Sequence, residues 1–239
     1  MNIAIDSGNT NIKVGLFEGE HLTKKFIFST IDQLSAFLEG KSAENMIVSS
    51  VSEGLESIIA FSRVSGKKIN LTSKLFPPIR NLYATPETLG VDRIAAACGA
   101  WQLYPDQASL VIDIGTCINY EFVNQQGEYL GGAISPGVRM RFASMHQFTA
   151  KLPIVEPHAA PRLTGESTVG SLQSGVMNGI LEEIKGMINR YQEEHPLLKV
   201  ILCGGDAHFF EKHLNTSIFV APELVLMGLN SILLNNVKS

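Results

Sequence analysis

The amino-acid sequence predicts an α/β protein made of two similar halves, each a mixed β-sheet with flanking helices. The first observation behind this prediction is an internal repeat: an apolar run followed by Asp-x-Gly occurs at Asp6 and again at Asp113, about half of the 239-residue chain later. The second is that helix-like and strand-like patterns alternate after each copy. We therefore divide the chain into two lobes, residues 1–108 and residues 109–239.

Each lobe is predicted to begin with three antiparallel strands. Residues 3–17 and residues 110–124 each give an apolar strand, a turn at a glycine and a second alternating strand. The third strands are HLTKKFIF in the first half and EYLGGAI in the second. The glycine at each turn leaves no Cβ to obstruct a ligand that approaches the backbone.

After the third strands, both halves alternate between helix and strand. In the first half, Ser29 or Thr30 is suited to cap a helix that ends at Gly40. The other predicted elements are, in order, a strand at MIVSSV, a helix at LESIIAFSRV, a strand at KKINLT, a helix at IAAACGAWQLY, a helix from about Thr168 to Tyr191, a strand at LKVILCGG, a helix at DAHFFEKHL, a strand at SIFVA and a final helix at LVLMGLNSILLNN.

The composition is that of a globular protein, with 45% hydrophobic and 18% charged residues. The net charge of −4, and the lack of any Lys or Arg run longer than a pair, argue against nucleic acid as a partner. No stretch reaches the roughly 18 apolar residues of a membrane span, and the N-terminus lacks the regions of a signal peptide. The widely spaced Cys98, Cys117 and Cys203 suggest reduced thiols in the cytoplasm.

The duplicated layout resembles the ribonuclease-H-like lobes of the superfamily that contains actin, the heat-shock ATPases and the acetate and sugar kinases. In that superfamily ATP lies in the cleft between the lobes, and each lobe contributes one glycine-containing hairpin to the phosphates. The resemblance implies that residues 6–10 form the first of these loops and residues 113–116 the second. It also makes residues 203–206 the loop on the adenosine side, although a plain strand-to-helix turn explains that segment as well.

The residues of the two phosphate loops suit this role. N–H groups exposed in a glycine turn form a concavity that binds anions, and hydroxyl and amide side chains add donors. Asn9, Thr10, Asn11 and Thr116 fit this description, and Lys13 adds a positive charge on the outgoing strand. The chain has no G-x-x-x-x-G-K-[ST] pattern, which excludes a P-loop site.

The two aspartates of the repeat predict cations. Asp6 and Asp113 would repel a polyphosphate unless cations lie between the carboxylates and the phosphates. The sequence therefore predicts ATP bound with Mg²⁺ or another metal ion. The alternative is that both aspartates only cap turns, which is a common role of Asp.

A second resemblance lies in residues 83–93, YATPETLGVDR, which adjoin a predicted helix. Residues 90–93, GVDR, resemble the Gly-x-Asp-Arg signature of type III pantothenate kinases, and Tyr83 and the Pro-x-x-Leu that follows it also match that family. Asp92 could instead serve as a helix cap, since a helix N-terminus favours negative charge. Further segments that fit the same family are DSGNTNIK, DIGT, GGAISPG, Thr168 and PELVLMGL, so the resemblance spans nearly the whole chain.

The resemblance implies a role for each matching residue. It makes Asp92 the general base on the primary hydroxyl of pantothenate, in the ATP-dependent first step of coenzyme A synthesis, and Asp113 the ligand of a monovalent cation, potassium or ammonium. The residues that it assigns to pantothenate are Tyr83, Gly90, Val91, Asp92, Arg93 and Thr168. Those that it assigns to ATP are Asp6, Ser7, Gly8, Asn9, Thr10, Asn11, Ile12, Lys13 and Thr116. Departures from the family occur at Ser7, Cys117 and Cys203.

Members of that family are homodimers, and the sequence offers one surface for such an assembly. Gly175 and Gly179 are four residues apart on one face of the helix that begins at Thr168. Glycines inside a helix cost about 1 kcal/mol each relative to alanine, so a close approach of another helix is the expected compensation. Packing inside one subunit is the alternative.

Two other functions stay open from the sequence. One is a different actin-like kinase or phosphatase, because the two phosphate loops would serve the whole superfamily. Only residues 83–93 favour pantothenate over that alternative. The other is a regulatory protein that binds a ligand and acts through a partner, but the sequence shows neither a helix-turn-helix nor a basic stripe.

Overall fold

The computed structural model describes residues 1–8, 11–50, 63–72, 75, 77–214 and 217–237. The chain divides into two compact units. Unit 1 comprises Met1–Asp106, Gly127–Leu130 and Glu223–Ser239, and unit 2 comprises Gln107–Gln126 and Gly131–Pro222. Among the described helices, none combines the length and the hydropathy that crossing a lipid bilayer requires.

The described strands are β1 (Asn2–Ser7), β2 (Ile12–Glu18), β3 (His21–Phe28), β4 (Ser42–Ala43), β5 (Asn45–Ser50), β6 (Arg63–Val64), β7 (Lys68–Asn70), β8 (Arg80–Asn81), β9 (Ser109–Ile114), β10 (Cys117–Val123), β11 (Glu128–Pro136), β12 (Lys199–Cys203) and β13 (Ile218–Val220). The described α-helices are α1 (Ile31–Glu39), α2 (Val91–Leu103), α3 (Val138–Gln147), α4 (Thr168–Glu194) and α5 (Leu224–Val237). Short 3-10 turns lie at Pro86–Thr88, Ala207–Phe209 and Glu211–His213.

The two units repeat one strand order, which confirms the predicted duplication and the α/β class. The sheet of unit 1 runs β3-β2-β1-β5-β7, and the corresponding strands of the second sheet run β11-β10-β9-β12-β13. β1 pairs antiparallel with β2 and parallel with β5, as β9 pairs antiparallel with β10 and parallel with β12. Asp6 is the fifth of six residues in β1 and Asp113 the fifth of six in β9, and the two strands share one burial pattern.

The repeated strands are central, and this explains their sequences. The first four residues of β1 and of β9 are buried, because neighbouring strands flank a central strand at both edges and packed helices cover its faces. In unit 1 the core that includes β1 is formed with α1, whose Thr30 cap accepts the Gln33 N–H at 3.3 Å and whose last turn ends at Gly40. In unit 2 the core is formed with α4, through Ile180 and Ile184 among others.

The last helix belongs to unit 1, whereas the division at 108/109 places it in the second lobe. α5 packs against α2 with the two backbones in contact: a Cβ at Gly228 would lie 1.7 Å from the Ala95 oxygen, and one at Gly99 would lie 2.4 Å from the Leu224 oxygen. The buried Asn230 donates to the Gly19 carbonyl at 2.9 Å. Glycine at both crossing points and this internal hydrogen bond hold α5 on unit 1.

Two predicted elements need correction. The predicted helix DAHFFEKHL is a pair of 3-10 turns that meet at Phe210, where φ is −113°. Asp206 is the N-cap residue of the first turn, but its side chain makes no capping hydrogen bond, so the N-terminal cap that would favour a regular helix is missing. The predicted helix LESIIAFSRV falls mostly outside the described residues, but its last two residues form β6, which pairs in parallel with β4.

One helix was not predicted from the sequence. α3 follows Gly137 and buries only Val138 and Phe142, one turn apart, while its other positions are mostly polar or exposed. Two buried residues make too short an apolar stripe for the 3.6-residue periodicity to reveal a helix.

Candidate functional site

The first predicted phosphate loop lies in unit 1, between β1 and β2. Asp6 is in register with Lys13 on β2 and with Ser49 on β5, so it is still paired on both sides of β1 just before the turn. Beyond it, Gly8 N donates to the Asn11 carbonyl at 3.2 Å. Ser7 and Ile12, the adjoining strand residues, are buried. Asn9 and Thr10, which were predicted to contact phosphate, lie outside the described residues.

The glycines of the two predicted loops are not demanded by the fold. Neither Gly8 nor Gly115 has a φ in the left-handed region. The nearest described atom to an added Cβ would be 3.7 Å away at Gly8 and 3.9 Å away at Gly115, which are ordinary contact distances. The space beside both backbones is consistent with the close approach of a ligand.

The second predicted loop lies in unit 2, between β9 and β10. Gly115 N donates to the Cys117 carbonyl at 2.9 Å and closes the turn, and Thr116 is exposed at its tip. Asp113, half-buried, precedes the turn and faces Gly204 at the end of β12. Gly204 has a φ of +91°, and a Cβ there would lie 2.5 Å from Asp113 Oδ1. The two loops of unit 2 therefore meet at this carboxylate.

The donors around Asp113 can be compared with what a cation needs. The described residues contain no group of three or more His, Cys, Asp or Glu side chains that could hold a metal ion. The oxygens at hand are the Asp113 carboxylate and nearby carbonyls such as that of Ile114, which lies beside Gly204. Carboxylate and carbonyl oxygens are the ligands that hard cations prefer. A single carboxylate supplies only one negative charge, so a cation bound here would be held weakly.

Asp206 follows the two glycines of the predicted adenosine loop. Its backbone N–H donates to the Ile114 carbonyl at 3.0 Å, which ties this loop to the end of β9. Burial raises the pKa of the Asp206 carboxyl above its ordinary value, and the positive charges of Arg139 and His208 offset this only in part.

The segment matching Gly-x-Asp-Arg begins α2 in unit 1. Gly90 is the N-cap residue and has no side chain to cap the helix. Asp92, half-buried in the first turn, accepts a hydrogen bond from the Arg93 N–H on its Oδ1 at 3.0 Å. A Cβ at Gly90 would lie 2.6 Å from the same Oδ1, so glycine makes room for the carboxylate. The cap-like hydrogen bond and a catalytic role are thus compatible.

Arg93 and Tyr83 form a packed pair beside this helix start. The Arg93 side chain is only 8% exposed, and its guanidinium carbon lies 5.6 Å from the centre of the Tyr83 ring. The Tyr83 ring is in turn 6.1 Å from the Tyr129 ring. Tyr83 N donates to Asn81 Oδ1 at 3.0 Å, which fixes the chain before the 3-10 turn.

Thr168 is the first residue of α4 in unit 2 and is exposed. The preceding Ser167 caps the helix, since its Oγ accepts the Gly170 N–H at 3.1 Å. The structure thus groups Tyr83 with Asp92 and Arg93 in unit 1, groups Asp113 with its turn in unit 2, and places Thr168 on a separate element of unit 2.

One group of polar residues in unit 2 was not predicted from the sequence. Glu183 on α4 accepts hydrogen bonds from Tyr120, Ser135 and Arg141. The sequence holds two indications of this group: the acidic Glu183 is adjacent to the buried Ile184, and Ser135 lies within the segment GGAISPG. Neither indication reveals which residues bond to Glu183, because these residues come from three other elements, β10, β11 and α3.

Comparison with known proteins identifies the family. Residues 2–190 match the family described as Type III pantothenate kinase. The type III pantothenate kinase of Cytophaga hutchinsonii is 43% identical over 237 residues, covering 99% of this chain and 100% of that protein. The one from Bacteroides fragilis is 42% identical and covers 98% of this chain and 97% of its own length.

Solved structures show the same fold. A Campylobacter jejuni protein described as a candidate Baf family transcriptional activator matches with a TM-score of 0.67 at 24% identity, covering 99% of this chain and 100% of its own. Component A of the (R)-2-hydroxyglutaryl-CoA dehydratase of Acidaminococcus fermentans matches with a TM-score of 0.52 at 15% identity, covering 99% and 97%. These likenesses concern the fold alone, and they confirm the predicted actin-like class. Because the family model matches residues 2–190 and a type III pantothenate kinase is 43% identical along 99% of the chain, the chain belongs to the type III pantothenate kinase family.

Proposed function

We propose that this chain phosphorylates the primary hydroxyl of pantothenate with ATP, giving 4′-phosphopantothenate, the first step of coenzyme A biosynthesis. The observation that carries this proposal is its 43% identity to a type III pantothenate kinase along 99% of the chain. The local structure supports it, because GVDR starts a helix whose first turn presents a half-buried carboxylate.

In this proposal Asp92 is the catalytic residue. The pantothenate hydroxyl oxygen attacks the γ-phosphorus, the bond between that phosphorus and the ADP oxygen breaks, and the hydroxyl proton passes to Asp92. The Arg93 N–H holds one carboxylate oxygen at 3.0 Å, and the other oxygen would take the proton. Tyr83, Gly90 and Val91, with Thr168, complete the pantothenate contacts. Arg93 would add a positive charge to these contacts, from a nearly buried position beside the Tyr83 ring.

The ATP contacts come from residues 6–13 and from Thr116. Their support is the repeated strand geometry, which gives Asp6 and Asp113 equivalent positions, and the open space beside Gly8 and Gly115. Mg²⁺ would neutralise the phosphate charges that face these carboxylates. Asp113 would hold a potassium or ammonium ion with backbone carbonyls.

We also propose a homodimer that acts in the cytoplasm. Gly175 and Gly179 are exposed on α4, and no described atom lies within 4 Å of a Cβ added at either residue. Two apolar side chains near the start of the same helix, Leu163 and Val169, are 84% and 45% exposed. The bare backbone at these two glycines would let a helix of a second copy approach closely. All three cysteines are free thiols, as a reducing compartment would keep them.

The test is an acceptor screen with the purified full chain. ATP is supplied with pantothenate or with a panel of sugars, ADP release is followed, and the product is identified by mass spectrometry. We expect ADP and phosphopantothenate in equal amounts and no turnover with sugars. Turnover with a sugar but not with pantothenate would replace the proposal by another kinase of the same fold.

A further inference from the structure

A carboxylate in the middle of α4 joins three other elements of unit 2. Glu183 Oε1 accepts hydrogen bonds from Ser135 Oγ at 2.6 Å and from Tyr120 Oη at 3.1 Å, and its Oε2 pairs with Arg141 Nη2 at 2.5 Å. Burial acts to raise the pKa of Glu183, but the hydrogen bonds from Arg141 and Ser135 outweigh it and lower the pKa below its ordinary value. Glu183 is therefore an anion at neutral pH, held by three donors.

Two of these donors come from one corner of the chain, where β11 ends and α3 begins. Arg141 also donates from Nε to the Pro136 carbonyl at 2.8 Å and from Nη2 to Ser135 Oγ at 3.2 Å. The guanidinium thus spans the corner, residues 135–141, and Glu183 fixes the guanidinium. Charge-assisted hydrogen bonds of this kind are short and directional.

The same corner lies against the turn that carries Thr116. Gly137 N donates to the Thr116 carbonyl at 3.1 Å. A Cβ at Gly137 would lie 2.2 Å from the Gly115 oxygen and 2.5 Å from the Thr116 oxygen, so only glycine allows this contact. A displacement of the corner would therefore be passed directly to the backbone of the turn.

We propose that Glu183 is a positioning residue for ATP, which acts through Ser135 and Arg141 to hold Gly137 against the Thr116 turn. This inference rests on the proposed function, because it takes Thr116 as an ATP ligand. Apolar contacts already pack α4 onto the sheet, through Ile180 and Ile184. Apolar packing alone allows small shifts, whereas the hydrogen bonds of the network fix the position of the corner. A turn whose backbone contacts phosphate must be held closely, because a small misplacement of a binding group loses much of its contribution to binding.

Glu183→Gln tests the proposal in the full chain. The variant keeps the side-chain volume and an acceptor for Ser135, but it presents an amide NH₂ group to the Arg141 guanidinium. We expect the Kd for ATP, measured without any acceptor, to rise about tenfold. The KM for ATP should rise in parallel while the KM for pantothenate stays unchanged, and Glu183→Asp should recover part of the loss.

The matched control is Glu182→Gln. Glu182 is the neighbouring carboxylate on α4, its side chain is 70% exposed, and it pairs with Lys185 at 2.9 Å. Its loss should change neither the Kd nor either KM. If Glu183→Gln does not fold, Ser135→Ala removes one donor and keeps the ion pair, and it should raise the ATP Kd about threefold.

The outcomes separate three cases. A lower melting temperature with unchanged ATP Kd in the folded variants overturns the proposal and leaves a purely stabilising network. If the wild type binds ATP but does not phosphorylate pantothenate, the proposed function fails, and the Kd series still decides the role of Glu183. A wild type that does not bind ATP overturns both.

Discussion

Asp92 and Arg93 are adjacent in the chain, yet the structure gives their side chains different surroundings. The carboxylate is half-buried at the open end of α2, where a helix N-terminus favours negative charge. The guanidinium is 8% exposed and stacks on Tyr83. The guanidinium of an arginine is already protonated at neutral pH and cannot accept another proton. Within the GVDR signature, Asp92 is the residue we expect to take the proton.

Asp92→Asn should therefore lower kcat by about 10²–10⁴, the usual contribution of a positioned base. The amide keeps the size of the side chain and can still accept the Arg93 N–H, so the melting temperature and the ATP Kd should stay near those of the wild type. The control is Glu87→Gln, an exposed carboxylate in the 3-10 turn before α2. A kcat near the wild-type value in Asp92→Asn would contradict the assignment.

Asp206 predicts a pH dependence of stability. The pKa of Asp206 is raised in the folded chain, so the folded state holds this proton more tightly than the unfolded state does. The stability of the wild type therefore falls as the pH rises from the ordinary pKa of the carboxyl through its raised pKa. Asp206→Asn lacks this loss. It should melt at a higher temperature than the wild type at pH 7, and the difference should vanish at acid pH below about 4, the ordinary carboxyl pKa.

Thermal melts of both proteins across that pH range provide the measurement. Asp32→Asn, an exposed aspartate in the first turn of α1, is the control. An equal difference between wild type and Asp206→Asn at every pH would show that ionisation of Asp206 is not its cause.

Asp6 and Asp113 predict a dependence on two kinds of cation. After dialysis against a chelator, the chain should have no kinase activity until Mg²⁺ is restored, because the phosphates would otherwise face these carboxylates directly. With Mg²⁺ present, potassium or ammonium should raise the rate above that in sodium. Equal rates in all three salts would remove the monovalent site at Asp113 from the mechanism.

At the scale of elements, glycines inside helices serve two opposite purposes. In α2 and α5, Gly99 and Gly228 allow backbones to touch, and an added Cβ has no room. In α4, Gly175, Gly179 and Gly186 have no described neighbour within 4 Å of an added Cβ. The same residue type therefore marks an internal helix contact in unit 1 and an open surface in unit 2.

This difference can be measured with two alanine variants. Gly228→Ala should destabilise the chain by about 1–3 kcal/mol, because it overpacks the contact with the Ala95 oxygen. Gly186→Ala should instead stabilise by about 0.5–1 kcal/mol, since alanine restricts the unfolded chain and fills only open space. Urea unfolding of each variant against the wild type gives both values. Similar losses for the two variants would contradict the packing described for α5.

Element prediction succeeded where a pattern was long and failed where it was short. The 27 residues of α4 and the central strands carry enough periodicity to be recognised. α3 buries two residues and was missed, and the segment 206–214 combines apolar residues at helical spacing with a break at Phe210. Backbone angles and caps decide such short segments, and composition only weakly reflects them.

For the whole molecule, association is the main prediction. Gly179→Leu places a bulky side chain on the exposed face of α4, and overpacking a tight contact typically costs about 1–3 kcal/mol. We expect sedimentation velocity to show a dimer for the wild type and a shift toward monomer for the variant, with Gly179→Ala between them. Gly179→Ala should not lower the stability of the monomer, because no described atom lies within 4 Å of the added Cβ. A fully active monomeric wild type would refute the interface.

The sequence alone determined the duplicated α/β fold, the two aspartates at equivalent strand positions and the GVDR helix start, because these depend on patterns within a few neighbouring residues. Only the tertiary structure decided that α5 belongs to unit 1 and that Glu183 is linked to the Thr116 turn through Ser135, Arg141 and Gly137. Asn2 and Asn230 are hydrogen-bonded across 228 residues of sequence, and Glu183 and Tyr120 across 63. Such pairs form when packed elements bring distant side chains within hydrogen-bonding distance, a condition that no local pattern of residues encodes.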